Sequence, residues 1–161
     1  MDAIERKIGN SNSLTDIFGC WPSFHDAEVI SIELQRAQGG LSEPTLTAKI
    51  YLFEMTSKVD ERGCYVLKNH TIVTFSFKGI DESCLKWFNQ QNSLWELAIL
   101  DISSRQLEKL KFQVHFSSSF GVEAEFKCRA IEILSADRTD LVAVEGFPRQ
   151  LPPKAGAYEP N

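Results

Sequence analysis

"GVEAEFKCRAIEIL" (residues 121–134) is the stretch on which the fold turns. Val122, Ala124, Phe126 and Cys128 fall on even positions, then Ile131 and Ile133 on odd ones. Alternation with period two marks a strand with one buried face. A change of parity with no turn signal means one extra residue, and a β-bulge near Arg129–Ala130 restores the buried face. Outward from this stretch the same pattern recurs. "KLKFQVHF" (109–116) alternates at Leu110, Phe112, Val114 and Phe116. "TLTAKIYLF" (45–53) sets Leu46, Ala48, Ile50 and Leu52 against Thr45, Thr47, Lys49 and Tyr51. "HTIVTFSFKG" (70–79) carries Val73, Phe75 and Phe77 on one side, and "LWELAILDIS" (94–103) is apolar enough for a further strand.

"VISIELQ" (29–35) places Ile30, Ile32 and Leu34 on the expected core face. The Gly-containing "AQGGLSEP" (37–44) joins it to the next strand as an antiparallel pair. "TSKVDERGCY" (56–65) reads as a polar connector, Ser117–Ser119 as a hairpin turn, and "DESCLKWFNQQNS" (81–93) fits strand and helix equally. "NSLTDIFG" (12–19) predicts a short helix with Ser13 as its cap, Asp16 in its first turn and Gly19 as its stop. The sum is an α+β chain, mostly β: about six strands in a largely antiparallel sheet with one or two short helices. Residues 1–161 are expected to form a single domain, with the helix at 12–19, the sheet core at 25–134 and an irregular Pro-rich tail at 146–161.

Composition narrows the function classes. With 43% hydrophobic and 24% charged residues the chain is of ordinary globular make-up. The formal net charge is −5 and the acidity is spread over both halves. No basic stripe offers itself to nucleic acid. No apolar run approaches the length of a membrane helix, and the first residues lack the apolar core of a secretory leader. Cys20, Cys64, Cys84 and Cys128 form no C-x-x-C pair, so reduced, mostly buried thiols in a cytoplasmic protein are expected.

The polar residues that invite chemistry lie in "WPSFHDAEV" (21–29). His25, Asp26 and Glu28 have the donors of an acid–base or metal site, and with His115 they would serve a metal-dependent hydrolase. Against this, in a strand His25 and Asp26 point to opposite faces. Asp26 and Glu28 would share the face of Ile30, Ile32 and Leu34, where carboxylates are costly unless they sit at a rim or the strand is irregular near Val29. In the other reading, Trp21, Pro22, Phe24, His25 and Asp26 form a structural clasp at the start of the strand. There Ser or Asp side chains accept backbone N–H groups in the turn after Pro22. No Walker loop, G-x-G-x-x-G, G-x-S-x-G or H-E-x-x-H is present, and no cofactor or metal is implied. "FNQQN" (88–92), beside Trp87, either satisfies irregular backbone or forms a polar recognition rim beside aromatic anchors. A sheet that takes a small ligand through Trp87 and Trp95 is a further alternative.

"FGCWPSFHDAEVISIEL" (18–34), "FNQQN" (88–92) and "SSFGVEAEFKCRAIEIL" (118–134) resemble the Immunity protein 50 family of bacterial polymorphic-toxin systems. The resemblance implies an α+β protein, a cytoplasmic location and no catalysis. A protein of this kind neutralises a cognate toxin by binding it and covering its active site. The family supplies no set of functional residues to carry over. Exposed carboxylates, amides and aromatics, among them Glu28, Glu33, Trp87 and Gln90, are the expected contacts. A basic toxin would suit the acidic balance.

Overall fold

The computed structural model describes residues 3–38 and 43–139; the expected tail at 146–161 lies outside them. The fold is α+β and dominated by antiparallel sheet. A helix α1 (Asn12–Phe18) precedes strands β1 (Glu28–Gln35), β2 (Thr45–Val59), β3 (Tyr65–Lys78), β4 (Asp81–Lys86), β5 (Ser93–Asp101), β6 (Phe112–Phe120), β7 (Glu123–Cys128) and β8 (Ala130–Arg138). Short 3-10 turns occupy Ile4–Lys7 and Ser103–Arg105.

The strands pair in the order β4-β7-β6-β5-β1-β2-β3-β8. The two ends of that order are pieces of one ribbon. Lys78 at the end of β3 pairs with Ala130 at the start of β8, and Asp81 at the start of β4 pairs with Lys127 in β7. Only Gly79 and Ile80 separate β3 from β4, and only Arg129 separates β7 from β8. The sheet therefore curls until its ends are joined through the chain itself, and the eight segments amount to about six continuous strands. The parity change in 121–134 is this corner: one residue, Arg129, drops out of the ladder as the strand bends.

Three features hold the corner. Gly79 has φ +65°, and a Cβ there would come within 3.0 Å of the Arg129 Cβ. Its N–H and that of Ile80 both donate to the Pro44 carbonyl, at 3.0 and 3.1 Å. The Arg129 guanidinium grips Glu43 with two bonds of 2.6 and 2.7 Å. That cation holds the Glu43 carboxyl below its ordinary range.

Inside the curl lies one apolar cluster. Leu46, Ala48, Ile50 and Leu52 of β2, Val73, Phe75 and Phe77 of β3, and Phe112, Val114 and Phe116 of β6 all point inward, as their alternation predicts. Phe77 meets Phe126 edge-on at 5.0 Å and Phe116 at 6.1 Å, geometries that suit the ring quadrupoles. Helix α1 buries Leu14 against this cluster. The segment before it adds to the edge of β8: the Gly9 N–H donates to Ile131 O and its carbonyl accepts from the Ile133 N–H, both at 2.9 Å.

Several expectations need correction. In β1 the register shifts between Val29 and Ser31, so Val29 takes the core face and Ile30 turns out; Ile32 and Leu34 keep the expected face, opposite Ala48 and Leu46, with Ile32 half-buried and Leu34 exposed near the strand's end. The helix is capped by Ser11 rather than Ser13, and without a side-chain bond; Ser13 sits inside it and donates to Asn10 O. Gly19 ends it at φ +79°, as expected. The polar run 56–65 belongs to the arms and tip of a long β2–β3 hairpin, turned around Asp60, whose carboxylate accepts the N–H groups of Arg62 and Cys64. Ser117–Ser119 lie within β6, and the turn falls at Gly121–Val122. Of the four free thiols only Cys128 is buried, its pKa pushed up to about 12 by desolvation; Cys20 and Cys84 are exposed.

Candidate binding face

The 21–29 segment acts on the sheet's weakest seam. β1 and β5 share a single ladder pair, Glu28 with Ser93. Around it three backbone bonds close the gap: Asp26 N–H to Leu94 O, Leu94 N–H to Ala27 O and Val29 N–H to Asn92 O, at 2.9, 2.8 and 2.9 Å. Trp21 and Phe24 fix the approach from inside. Their rings pack on each other at 5.9 Å and on Phe75 at 6.4 and 5.8 Å. Pro22 is buried between them in sequence, and Ser23 Oγ accepts the His25 N–H at 3.2 Å.

The catalytic triplet does not assemble. Asp26 has φ +63°, so the chain there is not yet a strand, and the opposite orientation expected of His25 and Asp26 is lost. His25 Nδ1 instead lies 3.0 Å from Asp26 Oδ2 at the surface, and its ring stands edge-on to Trp95 at 4.6 Å. Glu28 turns the other way: its carboxylate accepts the backbone N–H of Asn92. Burial raises the Glu28 pKa, and that N–H pulls against the rise. It is thus Glu28, not Asp26, that satisfies a backbone donor. His115 sits near Ser117 Oγ on β6, and His70 bonds Tyr51 OH at 2.6 Å, with burial lowering its pKa. Among the described residues no three His, Cys, Asp or Glu side chains group as metal ligands.

"FNQQN" divides its work. Asn92 is buried and its Oδ1 accepts the N–H groups of Asn89 and Val122, at 2.9 and 3.1 Å, while its Nδ2 donates to Asn89 O at 2.7 Å. Asn89 Nδ2 donates to Trp87 O at 2.9 Å. Beneath the loop lies Gly121, at φ +81°, where any Cβ would collide with the Gln91 carbonyl oxygen. These contacts hold Trp87 at φ +59° with its ring 66% exposed, and leave Gln90 exposed beside it. Glu33 is exposed on β1, opposite Thr47, away from this loop. The alternation of the strands gave no hint of Phe120, which pairs with Ser93 and is 56% exposed, or of the contact between Trp95 and His25.

A filled sheet with structured polar edges is the frame on which the comparison falls. The family model described as Immunity protein 50 matches residues 10–137, nearly all of the sheet and its clasp. The chain belongs to the Immunity protein 50 family. It is therefore a non-catalytic, toxin-binding protein of the immunity type. A search of the curated proteins and of the solved structures finds no match. Among the described residues no helix is long and apolar enough to cross a membrane.

Proposed function

We propose that this chain works as a single domain in the cytoplasm, where it neutralises the toxin encoded beside it by covering that toxin's active surface. The observation that carries the reading is the family match across 10–137. The geometry supports it: the interior is packed with aromatic and aliphatic side chains, so recognition falls to the outer surface. The contacts we assign are Trp87 and Gln90 on the ordered 87–92 loop, with Glu28 beneath that loop and Glu33 farther along β1. Glu28 contributes by fixing Asn92, and the other three by direct contact. The net charge of −5 fits a basic toxin surface and fast association.

Co-expression tests this. Cells carrying the adjacent toxin gene should survive when this chain is present and die when it is absent. Equal death in both cultures rejects the reading. Purified chain that holds a metal ion and turns over a hydrolysable substrate would favour the hydrolase instead.

A further inference from the structure

Four Trp and Phe residues are exposed among the described residues, and the ladders place all four toward the same end of neighbouring strands β4, β6 and β5: Trp87, Phe88, Trp95 and Phe120. Ser93 opens β5 at this end. Its ladder partners are Glu28 on one side and Phe120 on the other, and Trp95 lies two residues along its own strand. Trp87 follows Lys86, whose partner Glu123 lies across the Gly121–Val122 turn from Phe120. Single exposed apolar side chains are commonplace, but four large rings on one end of a sheet mark an interaction surface.

The group is also ordered before any partner arrives. The Asn89–Asn92 bonds, the collision-tight seat over Gly121 and the left-handed backbone at Trp87 leave the loop little freedom to lose on binding. Preorganised Trp anchors are what strong protein contacts are built on.

The charges around the rings define the occupant. Asp26 and Glu96 border Trp95 across the seam and along the chain. The cation at this end, Lys86, lies over the Trp87 ring at 5.6 Å, so that face already accepts an ammonium group. We propose that this aromatic end is the surface that takes the toxin domain, and that the toxin presents to it Arg or Lys side chains around an apolar centre. The proposal rests on the toxin-binding reading and specifies where and by what chemistry it occurs.

The test is the affinity of the full chain for the toxin domain encoded beside it, measured at low and high salt. Trp95→Ala and Trp87→Asn, the latter suited to a positive φ, should each weaken binding by roughly 30-fold or more. Their melting temperatures should match that of the parent. Glu96→Lys should slow association and flatten its salt dependence. Leu100→Ala and Leu134→Ala, at exposed sites on the far end of β5 and on β8, should bind as the parent does. Parental affinity in both Trp variants overturns the proposal. If the Leu variants lose binding instead, toxin binding stands and the face is wrong. If the parent chain does not bind the toxin at all, the functional reading itself falls. Phe120→Ala guards against a local artefact of either Trp change and should also weaken binding. A parent chain that dimerises alone, and becomes monomeric with Trp95→Ala, would place a second copy on the face and likewise overturn the proposal.

Discussion

Asn92→Ala is the substitution that most stringently probes the link between clasp, loop and face. Asn92 is 3% exposed, and its amide makes three bonds: it accepts from Asn89 and Val122 and donates to Asn89. Truncation strands the Val122 N–H in a buried site, and an unsatisfied buried donor costs about 1–3 kcal/mol. The two bonds to Asn89 lie nearer water, and their loss adds about 0.5–1 kcal/mol each. The expected total is about 2–5 kcal/mol, which for a chain of this size lowers the melting temperature by about 4–20 °C. Urea unfolding of parent and variant, extrapolated to water, measures it, and the m-value should stay unchanged. Toxin affinity should also fall, because Trp87 is no longer held in place. A variant within about 0.5 kcal/mol of the parent would refute the reasoning, since that is the range of a surface change with no structural consequence.

Asp26→Ala should cost about 1–2 kcal/mol, while Asp26→Gly and Asp26→Asn should be nearly neutral, because the residue's role is its positive φ; thermal unfolding of the three checks the order. Phe77→Ala should cost about 3–5 kcal/mol by removing a fully buried ring that touches Phe75, Phe116 and Phe126, measured by denaturant titration. Burial favours the protonated form of Glu28 in the fold, so its favourable contribution is full below the unfolded value near 4.5 and is lost as pH rises through the raised folded value. The stability of Glu28→Gln relative to the parent should therefore climb as pH rises from below 4.5, and a difference that stays flat with pH contradicts this.

What could be read from the chain depended on how local the deciding force was. The alternating positions of 45–52, 73–77 and 112–116 face the core as expected because a two-residue period and burial point the same way. The Arg129 corner was visible as a parity change, but not its consequence, since nothing local says that the two halves of the strand serve opposite ends of one sheet order. β1 misled at one position because a bulge after Val29 turned Ile30 outward and put Val29 on the core face, and the polarity of 56–65 concealed a hairpin. The apolar approach of Trp21 and Phe24 to the sheet lies where the Trp-Pro turn was read. The chemistry there was not legible, because the N–H that a carboxylate accepts belongs to Asn92, distant in sequence. The aromatic face was least legible of all: Trp87, Trp95 and Phe120 come together only through the pairing of Ser93 with Phe120 and the seam with β1.

Titration of the adjacent toxin's activity with the purified chain separates stoichiometric capture from bond-breaking. Binding requires activity to fall linearly and vanish at a fixed small-integer ratio, with intact toxin recovered when the complex is dissociated. Loss of activity at a small fraction of that ratio, with toxin left modified or cleaved, would mean that the chain acts as a catalyst.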